Sequence, residues 1–311
     1  MADQIRNSTT KNSPAWKRIH MSKLTPWLFV TPPLLFAVVL RYFPLIKAFY
    51  MSLFDFNAVT PPGRFVGLKN YSDILNQHAF WQAWGNTFVF LFFTLTLVFF
   101  VPLIQALFLN EIVKGRKLFT VVYMLTSVIP ISTNVIIWKW IFNPDYGVMN
   151  AILNFFGFAS KAWLSDPALT KFCIIVPGTF GGATAIGAGT ATSVLMYLAA
   201  IMDIPEEIYE SASIDGCDGW KKIRYIILPN IRFLVGIQLI LTTISTIQIL
   251  DLPYQFTSGG PSGASTSMGI YIYNTVNQDL SYGRGNAAAM LVFLIIAILV
   301  FFQLKLEKSD N

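Results

Sequence analysis

Chemistry in this chain would have to come from few residues. It has 311 residues with 16 Asp and Glu, two His and two Cys. His20 and His78 lie far apart, and Cys173 and Cys217 show neither metal-site spacing nor the numbers of a disulfide framework. No metal site is expected, and no catalytic residues are assigned. An acid–base or nucleophilic enzyme would need clustered acids, histidines or a nucleophile with its base. The acids instead concentrate in one stretch, Asp203, Glu206, Glu207, Glu210, Asp215 and Asp218. A phosphate-cradling loop needs Gly-x-x-x-x-Gly-Lys-Ser/Thr. The nearest look-alike, Gly182 to Gly187 followed by Ala188-Gly189-Thr190, lacks the Lys and lies in an uncharged run. Gly181, Ala185 and Gly189 recur there every fourth residue, which reads better as close helix packing in lipid.

The acidic stretch opens the segment 203–229. Pro205 suits the first turn of a helix, where its missing N–H costs nothing. Glu206 and Glu207 follow where the helix dipole favours negative charge. Ile204, Ile208, Ser211, Ala212 and Ile214 or Asp215 space out as one face of a short helix, and Gly216 stands where a left-handed residue would stop it. A second amphipathic piece, 220–227, carries Lys221, Lys222 and Arg224 and ends at Pro229. The expectation is a surface helix–turn–helix that rests on lipid headgroups or docks into a partner's groove.

The elements that must position this segment are membrane helices. Hydrophobic residues make up 54% of the chain and charged residues 12%, against about 25% charged in an average soluble domain. Mean hydropathy is +0.56. Water could not accommodate that much apolar side chain, whereas a bilayer can. Runs of about 20 apolar residues mark the spans. They cover 27–40, continuing past Arg41 and Lys47 to about 54, then 79–110, 118–138, 172–202, 233–250 with an extension over 252–256, and 285–304. The second is long enough for a re-entrant segment plus a spanning helix. The expected fold is all-α integral membrane with six transmembrane helices. Residues 1–23 form a polar, basic cytoplasmic segment, and 24–311 the transmembrane domain. The first run is not expected to be a cleaved signal peptide, because a polar segment precedes it and no small-residue cleavage site follows. The Asn7-Ser8-Thr9 sequon reads as chance.

The net charge of +6 could suggest nucleic acid, but membrane proteins use Lys and Arg for orientation, so no nucleic-acid partner is expected. With both termini cytoplasmic, fourteen of the 22 Lys and Arg fall inside, including Lys114, Arg116, Lys117, Lys221, Lys222, Arg224 and Arg232. That orientation also puts residues 203–232 in the cytoplasm.

The segment 203–229 resembles the inner loop of bacterial ABC-importer permeases: Glu-Ala-Ala, three residues, Gly, nine residues, Ile-x-Leu-Pro. Here stand Glu210-Ser211-Ala212, Gly216, then nine residues to Ile226-Ile227-Leu228-Pro229. Ser211 replaces the first Ala, and Cys217 stands where the sugar-type loop usually has Ala. The Asp215-Gly216 pair resembles the sugar type. So do Tyr42-Phe43-Pro44, Ser52-Leu53-Phe54-Asp55, Phe65-Val66-Gly67-Leu68-Lys69-Asn70-Tyr71 and Asn86-Thr87. Thr257-Ser258-Gly259-Gly260-Pro261 with Ser265-Thr266 is similar to the maltose- and glycerol-phosphate-type "first" permease.

The resemblance implies a type I importer permease in the bacterial cytoplasmic membrane that is not itself an enzyme. Its partners would be a second homologous permease, two ATP-binding subunits that hold ATP and Mg, and an extracytoplasmic solute-binding protein. Glu210, Ser211, Ala212, Asp215 and Gly216 would form the coupling helix that fits a cleft on an ATPase subunit. A carbohydrate would be imported. Such a neutral polyhydroxyl solute needs amides, hydroxyls and aromatic faces, for which Asn134, Trp138, Trp140, Gln248 and Tyr254 are the candidates. Aromatic belts and helix packing are their bland alternatives. Other importer solutes, glycerol-phosphate-like or polyamine, stay open. A secondary carrier would show an internal repeat or intramembrane charge, and neither is seen.

Overall fold

The structure, a computed structural model, describes residues 15–57, 63–112, 114–179 and 191–309. The sequon at Asn7 and the small-residue pattern of Gly181, Ala185 and Gly189 lie outside the described residues. The chain divides into two compact units, Met1–Met51 and Ser52–Asn311. In the first, α1 (Ala15–Ala37) passes through a π-helical turn at Val38–Tyr42 into α2 (Phe43–Ser52). Trp27, Phe29, Phe36 and Leu40 on it are all exposed.

The second unit begins with a clip. Strands β1 (Phe54–Asp55) and β2 (Arg64–Phe65) pair antiparallel, and α3 (Lys69–Leu75) follows. Asn70 donates through its amide to the carbonyls of Ser52 and Phe54, each at 2.8 Å. Through Asn70 the Phe65–Tyr71 motif thus ties the stretch Ser52–Phe54 to α3. Next, α4 (His78–Phe93), a π turn at Thr94–Val98 and α5 (Val101–Glu111) form one rod. Helices α6 (Arg116–Val128), α7 (Ile131–Ile141), α8 (Val148–Phe155), α9 (Thr170–Thr179), α10 (Ala191–Met202) and α11 (Glu206–Ile214) are shorter. A second rod joins α12 (Trp220–Lys222), a π turn at Ile223–Ile227 and α13 (Leu228–Ile247). Finally come α14 (Asp251–Thr257), α15 (Met268–Asn277) and α16 (Tyr282–Ser309).

Among the described residues, four stretches have the length and composition to cross a membrane: Pro26–Ser52, His78–Glu111, Trp220–Ile247 and Tyr282–Lys305. The expected span over 118–138 is instead two helices. Ile129 precedes Pro130 and is extended, with ψ 124°, because a residue before proline is pushed out of the helical region. The expected surface piece at 220–227 is not separate either; it is the first part of the second rod. That rod ends at Ile247, and α14 is a helix of its own rather than an extension.

Each of the three π turns among the described residues precedes a proline. The carbonyl that each proline ring would strike, four residues back, belongs to Leu40 for Pro44, Val98 for Pro102 and Tyr225 for Pro229. Each of these lies inside a wide turn, where the ladder runs to the fifth residue: Phe43 to Val38, Phe99 to Thr94, Leu228 to Ile223. The extra residue makes room for the ring, so the helices continue.

Packing uses small residues where helices meet. Ala83, Ala287 and Ala288 are fully buried in a cluster with Phe80, Trp84 and Met268. Ala106 of α5 is fully buried against α10, among Leu103, Val194, Tyr197 and Ile201, and Ile226, Ile227 and Ile231 of the second rod belong to the same cluster. Such contacts suit lipid, where close backbone approach rather than water exclusion drives association.

Candidate functional site

Helix α11 is short and stopped by design. Gly216 is left-handed at φ +70°. Its N–H donates to the Ser213 carbonyl at 3.1 Å, and the Cys217 N–H donates to the Ala212 carbonyl at 2.8 Å. These two bonds make a Schellman stop, with Ala212 and Cys217 packing as its apolar pair. Pro205 occupies the N-cap position with extended backbone, one residue before the helix, and Glu206 and Glu207 lie in the first turn. Ser211 donates to the Glu207 carbonyl at 2.7 Å. Asp215 is the C-cap residue, with an exposed side chain.

The faces differ from the expectation. Tyr209 and Ala212, three residues apart, turn inward onto the cluster under α11. Ile208 is 40% exposed and Ile214 87% exposed, with Glu210 exposed beside them. Sequence reasoning missed Tyr209, whose spacing from Ala212 was the available signal. Its hydroxyl donates to the Ile201 carbonyl at 3.3 Å. Burial first, and the Glu111 carboxylate second, push its phenol above the ordinary value. Lys222 stands 4.8 Å over the Tyr209 ring and 3.5 Å from Glu111. A cavity of about 240 Å³ opens here, lined by Glu206, Tyr209, Glu210, Ser213, Cys217, Asp218 and Lys222.

At another place in the second unit, the Gly-Gly-Pro loop after α14 is bound to α4. Gln82 donates to the Ser262 carbonyl at 3.1 Å, and Asn86 to those of Gly263 at 2.8 Å and Thr266 at 2.9 Å. Thr87 accepts from the Met268 N–H at 2.9 Å. Inside the loop the Thr257 and Ser265 hydroxyls are 2.7 Å apart, and the Gly260–Pro261 bond is cis. Gly259 is required: a Cβ there would come within 2.7 Å of Thr266 Oγ1.

The five solute candidates are dispersed. Asn134 and Trp138 are half-buried on α7, with Trp138 stacked on Phe142 at 5.5 Å. Trp140 is 64% exposed. Tyr254 lies on α14, which touches α7, and meets Tyr273 edge to face at 5.1 Å. Gln248 is exposed at the end of α13. The fold thus brings the helices of Asn134, Trp138 and Tyr254 together and leaves Trp140 and Gln248 on open surface.

Residues 103–309 match the family described as binding-protein-dependent transport system inner membrane component. The chain is 30% identical to the trehalose/maltose transport system permease protein of Thermococcus litoralis, over 91% of this chain and 93% of that one. It is also 30% identical to an arabinooligosaccharide transport system permease protein of Halalkalibacterium halodurans, over 99% and 96% of the two chains. The fold is that of a chain in the crystal structure of a bacterial alginate ABC transporter in complex with an alginate pentasaccharide-bound periplasmic protein. The TM-score is 0.79 at 22% identity, covering 93% of this chain and 95% of that one.

Proposed function

The chain belongs to the family of binding-protein-dependent transport system inner membrane components, and from that premise we propose that it is one permease of an ATP-driven importer for a carbohydrate. The sugar-transport names of its relatives support the solute class. A solute-binding protein would deliver the sugar from outside, a second permease would complete the channel, and two ATP-binding subunits would hydrolyse ATP. The chain would cross the cytoplasmic membrane six times with both termini inside, residues 24–311 forming the transmembrane domain. The four long stretches supply four crossings; α6 with α7 and α9 with α10 supply the others.

The single observation that carries the reading is the outer face of α11. An isoleucine 87% exposed, at the end of a rigidly stopped helix between acidic side chains, is a surface built to be covered. Glu210, Ser211, Asp215 and Gly216 present the docking turn on the ATPase subunit, and Ala212 anchors it from beneath. The sugar would pass beside α7 and α14, with Asn134, Trp138 and Tyr254 as contacts; Trp140 and Gln248 join them only if the partner permease covers them.

The test is co-purification in mild detergent. Tagged wild-type chain should bring a second permease and an ATPase subunit, and Ile214→Glu should lower ATPase recovery roughly tenfold, as for a buried interface anchor. A chain that purifies alone and moves sugar in liposomes without ATP overturns the reading.

A further inference from the structure

The docking helix is held weakly by its own chain. Only residues 217–219 link its stop to the second rod, and Gly219, like Gly216, has a positive φ, at +56°. Beneath it, α5 and α10 are already locked by buried Leu103, Ala106, Tyr197 and Ile201. By contrast, α11 has no fully buried residue. Tyr209 and Ala212 alone of its residues pack, partly buried, on that cluster. Beside that apolar packing, one lysine makes a polar link from α11 to both rods. Lys222, at the head of the second rod, covers the Tyr209 ring of α11 at 4.8 Å and reaches Glu111, at the end of the first rod, at 3.5 Å. The Tyr209 hydroxyl extends the chain of contacts to the Ile201 carbonyl of α10.

We propose that Lys222, held between the Tyr209 ring and the Glu111 carboxylate, is a positioning residue that makes the docking helix and both rods move as one body. The proposal rests on the importer reading above. Its physical basis is directional. An ion pair with side chains 31% and 70% exposed adds little to stability, so removing it leaves the fold intact. Yet the lysine adds to the partly buried packing of Tyr209 and Ala212 a directed contact through which a load on α11 reaches both rods. Among the residues lining the cavity beside α11, Lys222 is also the cation facing Glu206, Glu210 and Asp218.

The experiment measures distance in the assembled complex, in a chain whose Cys173 and Cys217 are replaced by serine. Nitroxide labels at Glu207→Cys on α11 and Phe108→Cys on α5 report their separation with and without ATP. Both positions are exposed. With Lys222 present, one distance should persist in both states. In Lys222→Met, which keeps the aliphatic stem, a second distance should appear with ATP, its population raised roughly fivefold as expected for losing one cation–ring contact. Tyr209→Leu should reproduce this, while Lys222→Arg and Tyr209→Phe should not. An unchanged distance in Lys222→Met overturns the proposal. So does the same broadening in Lys222→Arg, which would mark mere packing damage. Failure of the wild-type chain to assemble with an ATPase subunit would instead overturn the importer reading, and this inference with it.

Discussion

Gly216 separates conformation from space. A Cβ there would meet nothing within 4 Å, yet φ is +70°, so any cost of substitution is backbone strain, roughly 1–2 kcal/mol and more for a branched side chain. Gly216→Val should therefore abolish sugar uptake while the chain still reaches the membrane; uptake assays beside a membrane immunoblot check this, and wild-type uptake refutes it. This residue was legible in sequence because helix stops are local chemistry: a short amphipathic pattern followed by glycine. Lys222 and Glu111 were not, because their pairing spans 111 positions and depends on where two rods end. The inward turn of Tyr209 had a signal in its spacing from Ala212, but that spacing alone reads equally well as an exposed ring.

Elements carry the second kind of information. Asn86-Thr87 and the Gly-Gly-Pro segment were each noticed, but as two resemblances, 177 to 180 positions apart. In the fold they are one contact, in which α4 supplies side-chain donors to carbonyls of the loop. Asn86→Leu takes the side-chain donor from both carbonyls, leaving that of Gly263 its bond from the Thr266 N–H at 3.1 Å, and should cost about 1–3 kcal/mol. Thermal unfolding in detergent should show a lower midpoint, and an unchanged midpoint would mean the loop holds its own shape. Element boundaries were read less well than element existence. The runs counted apolar residues, and so passed over Pro130, which breaks one expected span, whereas Pro229, read as an end, does not break its rod. The difference lies in the turn ahead of each proline, not in the proline.

For the whole molecule, membrane character was plain from composition, because exposed apolar side chains along every long helix have only lipid or a partner to face. Orientation was read from Lys and Arg and is testable by labelling. Ser160→Cys, on an exposed stretch, should react with an impermeant maleimide in intact spheroplasts, whereas Ser309→Cys should react only after permeabilisation. The reverse pattern would invert the topology. The wide turn at Thr94–Val98 has a further consequence, in angular phase. Phe90, Thr94, Val98 and Pro102 are all buried and step by four. At about 100° per residue, each such step overruns a full circle by about 40°, or about 120° over three. In a regular helix that drift would carry the buried stripe toward lipid. One extra residue in the wide turn absorbs nearly all of it, so the stripe that leaves α4 facing the protein arrives in α5 still facing it, at Leu103, Ala106 and Leu109.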